Sequence, residues 1–147
     1  MKKIFKTSYA VLVCLTLVMS SCSDSDPSGI ADTTLSGKVF GTSFTAKGGK
    51  SFTSGESVSV NITNVEADCD SYVLDYEYAI SASVPAEVGV YNNVTVVFNK
   101  DGETPLNMFK ANVEVVSFSN NEITVKIKAN SSADNTVEGK FTLPFCQ

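Results

Sequence analysis

Hydrophobic and polar residues alternate with a period of two along most of the chain from about residue 34 onwards. Successive side chains of a β-strand point to opposite faces, so this alternation predicts strands with one buried and one solvent-exposed face. No segment of ten or more residues has a helical period. The clearest alternation is found in residues 58–62, 72–80, 94–98, 109–115, 123–127 and 137–145.

Turn-forming residues separate these segments, as at Gly48-Gly49 and Asn120-Asn121. Short connections favour antiparallel neighbours, and the last three strands are predicted to form a meander. Eight or nine strands within residues 34–147 predict an all-β domain, a single antiparallel β-sandwich with immunoglobulin-like or Greek-key connections. The alternative is a small lipocalin-like β-barrel.

The tyrosines of the domain fall into two groups. Tyr72, Tyr76 and Tyr78 share the parity of Leu74 within one predicted strand, which predicts that their rings lie in the core. Tyr91 stands near the start of the next strand and is a candidate for contact with a ligand at the rim of the domain. Aromatic side chains at such positions are typical of sites that stack on sugars.

The first 21 residues have the layout of a secretory signal. Lysines precede an uncharged run, and small residues follow it. The run is shorter than the roughly 20 residues that cross a bilayer. Ser20-Ser21-Cys22 resembles the bacterial lipoprotein lipobox, in the relaxed form of Bacteroidetes lipoproteins, with Met19 where leucine is usual. The resemblance implies a signal peptide over residues 1–21 and a lipid on Cys22, and an ordinary secretory signal is the alternative.

Residues 22–33 are rich in Ser, Asp, Pro, Gly and Thr, which predicts a flexible tether between the lipid and the domain. Residues 23–26, Ser-Asp-Ser-Asp, resemble the tract that directs Bacteroidetes lipoproteins to the outer face of the outer membrane. This implies a cell-surface protein, with a periplasm-facing anchor as the alternative. Asp32-Thr33-Thr34 resembles the O-glycosylation site of exported proteins of that group, with Thr33 as the acceptor.

Composition and charge exclude several functions. Loss of Lys2, Lys3 and Lys6 with the signal leaves eight lysines against 16 acidic residues, a net charge of −8. Nucleic-acid binding is excluded because the chain has no arginine and no basic stripe. Without histidine there is no imidazole base, no catalytic triad and no histidine metal ligand. We therefore expect a protein that is not an enzyme, with no catalytic residue and no cofactor.

Cys69 and Cys146 are the two cysteines that remain if Cys14 leaves with the signal and Cys22 carries lipid. Two cysteines in an exported protein predict one disulfide, and two free thiols are the alternative. The bond would close a loop of about 78 residues, for a stabilisation of roughly 4–5 kcal/mol in the chain-entropy model. It would join the last strand to the loop around residues 66–70.

Acidic residues offer three weak candidate sites. Asp75 and Glu77 would lie about 6–7 Å apart on one strand face, close to the spacing of a glycosidase pair. Two carboxylates on one strand are more typical of a solvated face. The loop at 66–70 and the turn at 99–103 carry oxygens suited to Ca²⁺, but neither has EF-hand spacing. We predict no metal site, and we interpret residues 99–103 as a hairpin turn.

Short motifs along the domain resemble small outer-membrane or surface lipoproteins of Bacteroidetes that contain one β domain and have no assigned function. The motifs are Leu35-Ser-Gly37, Gly41-Thr-Ser-Phe44, Val84-Pro85, Gly89-Val-Tyr91 and Val137-Glu-Gly-Lys-Phe141 with Cys146. The resemblance implies an exported β domain and carries over no catalytic residue.

The expected function is that of a cell-surface, lipid-anchored, non-catalytic binding or adhesion module for a glycan or a protein. One alternative is a periplasm-facing accessory or structural subunit of an outer-membrane complex. Another is a carrier of an apolar ligand inside a barrel. The expected partners are the membrane, through the N-terminal lipid, and the glycan or protein ligand. A carrier needs a buried cavity, whereas a glycan binder needs a solvent-facing aromatic side chain.

Overall fold

A computed structural model describes residues 27–72 and 76–147. Within these ranges all regular structure is β, as the alternation predicts, and no helix is long and apolar enough to cross a membrane. The predicted signal peptide (1–21) and Cys22 lie outside the described residues. The nine strands are β1 (Ser36–Val39), β2 (Thr42–Thr45), β3 (Gly48–Ser54), β4 (Ser57–Thr63), β5 (Tyr78–Pro85), β6 (Gly89–Lys100), β7 (Leu106–Phe118), β8 (Glu122–Ser132) and β9 (Asn135–Cys146).

The nine strands form one sheet, in which β3 to β9 follow one another in sequence order. Each neighbouring pair in this run is antiparallel, so the predicted meander of the last strands is confirmed. β3 also pairs in parallel with β9, through Ser51 with Phe145 and Phe52 with Cys146. This pairing closes the seven strands into a barrel.

The predicted β-sandwich is therefore wrong, and the barrel alternative describes the fold. Alternation of apolar and polar residues is the same in both architectures, because every strand has one buried face in each. The contact that distinguishes them is long-range. The Ser51 hydroxyl donates to the Pro144 carbonyl at 2.9 Å across a sequence separation of 93 residues, and local sequence patterns do not encode such a pairing.

β1 and β2 form a hairpin attached to the first half of β9. β1 pairs with β2 on one side and with residues 136–138 of β9 on the other. The outer edge of β9 is thus divided between β1 and β3. Val39 of β1 and Phe44 of β2 are buried and belong to the same hydrophobic cluster as the barrel core, so the hairpin extends that core.

Apolar side chains fill the barrel interior. Val58, Val60 and Ile62 of β4 and Phe98 of β6 are at most 1% exposed. Burial of one such side chain contributes roughly 1.5–3 kcal/mol, so the alternation visible in the sequence is also the main source of stability. Among the described residues, no buried side-chain nitrogen or oxygen lacks a hydrogen bond.

Bulges interrupt the strands of the β6–β8 side. Asn93, with a φ of 61°, is an extra residue on β6, and the next irregularity lies on β7 at Phe109 and Lys110. A third register shift, between β7 and β8, lies at Val116. Bulges bend and twist the strand that carries them, which helps a sheet of only seven strands to close.

The β4–β5 loop is described at residues 64–72 and 76–77, and its first part folds back along β3. Gly49 N donates to the Ala67 carbonyl at 3.0 Å, so the loop continues the pairing of β3 where β9 no longer reaches it. The predicted disulfide between Cys69 and Cys146 is confirmed, with Cα atoms 5.5 Å apart. The loop and the end of β9 are thereby joined covalently beside the closing pair of strands.

An N-terminal strap, residues 28–35, lies across the outer face of β7, β8 and β9. Its backbone is paired with β9: Lys140 N donates to the Thr33 carbonyl at 2.7 Å, and Leu35 N donates to the Lys140 carbonyl at 2.9 Å. Packed structure therefore begins before residue 34, within the range 22–33 for which the sequence predicts a flexible tether.

Charged side chains fasten the strap to the barrel. Asp32 Oδ1 lies 2.8 Å from Nζ of Lys140 and 3.4 Å from Nζ of Lys126. The Ser28 hydroxyl donates to Glu114 Oε2 of β7 at 2.6 Å. By strand alternation Lys126 belongs to the outer face, yet it is only 7% exposed, because the strap covers it.

Candidate functional site

Small polar side chains line the outer face of β3 to β6. They occupy the polar positions of the alternation, whose apolar neighbours point into the core. β4 contributes Ser59 and Asn61, β5 contributes Ser81 and Ser83, and β6 contributes Thr95. Each of these five residues is half-buried or exposed.

The antiparallel register places these side chains next to one another. Ser59 is opposite Ser83, and Asn61 is opposite Ser81. Directly opposed residues have Cβ atoms about 4.5–5.5 Å apart, so the four side chains form a continuous polar surface. This surface is the floor of an open groove of about 270 Å³, the polar groove, lined by Ser54, Ser59, Asn61, Ser81, Ala82, Ser83, Thr95 and Val97.

Hydrogen bonds within the polar groove are few and long. Asn61 Nδ2 donates to Ser59 Oγ at 3.3 Å, and Asn99 Nδ2 donates to Ser81 Oγ at 3.3 Å. A serine hydroxyl has one donor and two acceptor sites, so these two hydroxyls still have a proton to donate. None of the lining residues is charged. The polar groove can therefore exchange several hydrogen bonds with a ligand but offers it no ionic partner.

Tyr72 stands beside the polar groove and is 74% exposed. The prediction that its ring lies in the core is wrong, because β5 begins only at Tyr78 and residue 72 belongs to the preceding loop. Tyr78 is in the core, at 9% exposed, and Tyr76 is half-buried. A small hollow lined by Tyr72 is also lined by Asn61, which places the exposed ring next to the β4 side of the polar groove.

Several contacts hold the loop that carries Tyr72. Its Cys69 is disulfide-bonded, and the Lys50 ammonium donates to the carbonyls of Cys69 and Ser71. Asp68 Oδ1 accepts hydrogen bonds from Oγ of Ser71 at 3.0 Å and from N of Ser71 at 3.1 Å. The Ser71 hydroxyl, together with backbone N–H groups, lowers the pKa of Asp68 below its usual value. Residues 68–71 of the loop are therefore held by several contacts.

Phe109 of β7 borders the other side of the polar groove. It is 65% exposed and lies in the β7 bulge. Thr95 of β6 is opposite this bulge, because the neighbours of Thr95 on β6 pair with the residues on either side of the bulge. Bulges re-aim side chains and are common beside functional sites. Thr95 lines the polar groove, so Phe109 lies next to the β6 side of the groove, as Tyr72 lies next to its β4 side, although neither residue lines the groove itself.

Tyr91, the candidate ligand contact from the sequence, is half-buried. Its hydroxyl donates to the Glu87 carbonyl at 2.8 Å, and its ring packs against the core. It does not line the polar groove. The structure therefore places Tyr91 within the β5–β6 hairpin, away from the aromatic rings that border the groove.

Thr33, the candidate O-glycosylation site, has an exposed side chain within the N-terminal strap. Its carbonyl is engaged by Lys140 N, and the neighbouring Asp32 is engaged by lysines. Modification of Thr33 stays a prediction. A glycan there would project from a segment docked on the barrel.

The acidic candidates do not assemble into a cation site in the described structure. Asp68 caps a turn, and no three His, Cys, Asp or Glu side chains within 27–72 and 76–147 are grouped to hold a metal ion. Asp75, of the pair with Glu77, lies outside the described residues. The predicted hairpin turn follows Lys100, the last residue of β6, and within it Glu103 N donates to the Lys100 carbonyl at 3.1 Å.

The residues of the polar groove are not among the site residues predicted from the sequence, although the sequence carries a signal for them. The polar positions of β4 and β5 carry Ser, Asn and Thr without a charge, whereas those of β8 and β9 carry lysine and glutamate. Ordinary solvated strand faces are rich in charge, so an uncharged hydroxyl-rich face is the informative departure. No comparable signal in the sequence indicates that Tyr72 is exposed, because its position in the alternation is that of the core residues.

Comparison with protein-family models, with curated proteins and with solved structures finds no match to this chain. A functional interpretation must therefore come from the geometry and chemistry of the molecule itself.

Proposed function

We propose that this protein is a non-catalytic binding module, held at the outer membrane by a lipid on Cys22, and that it binds its ligand in the polar groove. One observation carries the proposal. An uncharged, hydroxyl-lined groove has an exposed aromatic residue beside it at each end across the strands, Tyr72 next to Asn61 and Phe109 next to Thr95. Concave sites with a few convergent polar groups are where small ligands bind.

The packing of the interior favours an external site. Phe44 and Phe98 are the largest fully buried side chains, and each strand of the closed barrel directs apolar residues inward. A carrier of apolar ligands would need space at these positions. The outer groove has both the room and the hydrogen-bonding groups that a ligand needs.

The position of the N-terminal strap suggests how the module is oriented. The strap crosses β7, β8 and β9, whereas the polar groove lies on β3 to β6, so the two occupy opposite sides of the barrel. Pro27 is five positions after Cys22, so the two residues are at most about 18 Å apart. A lipid on Cys22 would hold the strap side near the membrane and leave the polar groove facing away from it.

This orientation is the reason for proposing display on the cell surface. A groove that faces away from the membrane is accessible to extracellular ligands when the anchor lies in the outer leaflet. The Ser-Asp-Ser-Asp tract at 23–26 supports the same location. Facing the periplasm is the competing location, and protease accessibility distinguishes the two.

The test of the groove is an array that carries neutral glycans, acidic glycans and unglycosylated proteins, probed with the full chain. Ser83→Arg places a long charged side chain in the polar groove, and Ser117→Arg places the same side chain at an exposed position of β7. We expect wild type and Ser117→Arg to bind the same spots, and Ser83→Arg to bind them roughly tenfold more weakly or worse.

Equal binding by all three proteins would overturn the proposal, because the ligand would then contact another surface. Absence of binding to every spot would overturn it as well. Circular dichroism of each variant checks that the barrel is intact, and both substitutions are at exposed positions where the barrel should tolerate them.

A further inference from the structure

We infer that the ligand of the polar groove is an uncharged oligosaccharide, with Tyr72 and Phe109 as its stacking surfaces. The inference rests on the proposed function and adds the chemical class of the ligand. It combines three features of the molecule: the hydrogen-bonding groups of the groove floor, the absence of charge among its lining residues, and the two aromatic rings at its sides.

The groove floor matches the hydroxyl groups of a sugar. Ser59, Ser81 and Ser83 each present a hydroxyl that both donates and accepts. The Asn61 amide uses one N–H for Ser59, and its Oδ1 receives no hydrogen bond from the described residues. Neighbouring hydroxyls on a saccharide have the same dual character, so each can donate to one groove side chain and accept from the next.

The charge of the site argues against ionic ligands. The Lys50 ammonium, on the β3 residue paired with Asn61, is engaged by the carbonyls of Cys69 and Ser71. No lining residue of the groove is a cation, so an anionic ligand has no ionic partner among them. A cationic ligand finds no carboxylate among the lining residues. The net charge of −8 on the chain after residue 21 further disfavours acidic polymers.

The groove floor also argues against a protein ligand. Protein interfaces derive most of their affinity from aromatic or arginine side chains in desolvated pockets. Here the floor is made of serine, asparagine and threonine, and the aromatic rings stand at its two sides. This separation of polar floor and apolar sides suits a sugar, whose ring edge carries hydroxyls and whose ring face carries C–H groups.

Tyr72 is suited to stacking because its ring is exposed and directly follows a segment that is held in place. It is 74% exposed, on a loop held by the Cys69–Cys146 disulfide and by Lys50. A backbone segment that is already in place loses little conformational freedom when the ligand binds. A tyrosine ring also combines an apolar face with a polar hydroxyl, as sites that contact water and apolar groups together require.

The separation of the two rings sets the length of the ligand. Tyr72 lies next to Asn61 of β4, and Phe109 is on β7. Neighbouring strands are about 4.7–4.9 Å apart, so the path along the curved barrel surface from β4 to β7 is roughly 14 Å, three of the seven strand spacings. A single sugar can contact only one ring, whereas an oligosaccharide laid across the strands contacts both and the hydroxyls between them.

The same array tests this inference with aromatic variants of the full chain. We expect groove-dependent binding to be confined to neutral glycans and to increase from monosaccharides to longer chains. Tyr72→Ala and Phe109→Ala should each weaken it about three- to tenfold, as expected for loss of one aromatic contact. Tyr72→Phe, which keeps the ring, should bind as wild type does. Val88→Ala, at an exposed apolar position in the β5–β6 turn, is the control and should also be unchanged.

Two outcomes would overturn the inference, and they differ from those that overturn the proposed function. If Ser83→Arg abolishes binding to proteins or acidic glycans, the groove is a binding site but its ligand is not a neutral saccharide. If Tyr72→Ala and Phe109→Ala bind neutral glycans as strongly as Val88→Ala does, the aromatic rings do not stack on the ligand. If binding is insensitive to Ser83→Arg, the proposed function and the inference about the ligand are both overturned.

Discussion

Ser51 of β3 and Phe145 of β9 are parallel partners, and their pairing closes the barrel. The seam is short, since the only other pair that β3 forms with β9 is Phe52 with Cys146. Cys146 is also disulfide-bonded to Cys69 in the β4–β5 loop. The covalent bond therefore lies at the one contact on which closure of the sheet depends.

Removal of the disulfide should destabilise the protein. For the double variant Cys69→Ser, Cys146→Ser we expect the free energy of unfolding to fall by roughly 2–5 kcal/mol, the usual range for a native disulfide in a small exported domain. Urea unfolding followed by circular dichroism measures the change. The loop that carries Tyr72 should also become more mobile. Ligand binding should therefore weaken even at urea concentrations at which the variant is still folded.

Reducing agent provides the control for the disulfide prediction. It should lower the stability of the wild type to that of the double variant and leave the variant unchanged. Stability that is the same in all four samples would mean that the strand pairing alone holds the seam closed.

Acid should release the N-terminal strap. The hydrogen bond from Lys140 lowers the pKa of Asp32 from its usual value of 3.8, and the bond donated by Ala31 N lowers the pKa of Glu138 from 4.5. A carboxylate whose pKa is lowered in the folded state stabilises docking at any pH above its usual pKa. It loses this effect as the pH falls through its folded-state pKa. The strap should stay docked at neutral pH and loosen below about pH 4.

NMR of the Ala31 amide can follow this release. We expect its resonance to move towards the position of an unpaired amide on acidification, with a midpoint below 4.5. Glu138→Gln should remove most of this titration, and Asp32→Asn should loosen the strap at neutral pH. Asp101→Asn, an exposed change in the β6–β7 turn, should behave as wild type. An Ala31 amide that does not titrate would contradict the role given to Glu138.

Gly139 should be required for docking of the strap. A Cβ at this position would lie 2.6 Å from the Thr33 carbonyl oxygen, and its φ of 139° disfavours a side chain. Gly55 in the β3–β4 turn also has a positive φ, of 63°, but open space around it. Gly55→Ala should cost about 1–2 kcal/mol of backbone strain. Gly139→Ala should lower the free energy of unfolding by at least about 1 kcal/mol more than Gly55→Ala does, because its methyl group would overpack against Thr33. If thermal or urea unfolding shows the same loss of stability for both variants, the strap moves aside for the added methyl group without an energetic penalty.

The lipid anchor and the location are tested together by protease treatment of intact and lysed cells. We expect the wild-type protein to be cut on intact cells, and Cys22→Ala to be released from the membrane. Protection until lysis would contradict surface display and direct the search for partners to the periplasm. Retention of Cys22→Ala in the membrane fraction would contradict the lipid anchor.

The class of the fold could be predicted from the sequence, because burial of one face of each strand imposes a period of two. Val58, Val60 and Ile62 lie in the core as their alternation predicts, and Cys69 pairs with Cys146. Closure could not be predicted in the same way. It depends on a pairing between strands at opposite ends of the domain, and both a sandwich and a barrel satisfy the same alternation.

Errors at the candidate site have a similar cause. The parity of Tyr72 predicted a core ring, but the chain at 64–72 follows the outside of β3, where the disulfide and Lys50 hold it. Tyr91 was singled out because local sequence constrained it least, yet its hydroxyl is bound to Glu87. The polar groove arises only when strands align in register, so single-strand patterns do not reveal that Asn61 meets Ser81.

Mapping of the binding surface by NMR tests the central claim most directly. The full chain would be titrated with the neutral oligosaccharide that gives the strongest array signal, and the amide and methyl chemical shifts of each strand would be compared. We predict that the largest changes lie at Ser59, Asn61, Ser81, Ser83 and Thr95, while β8, β9 and the interior methyl groups stay unchanged. Largest changes at the core methyl groups, or on the strap side of the barrel, would contradict the assignment of the polar groove as the binding site.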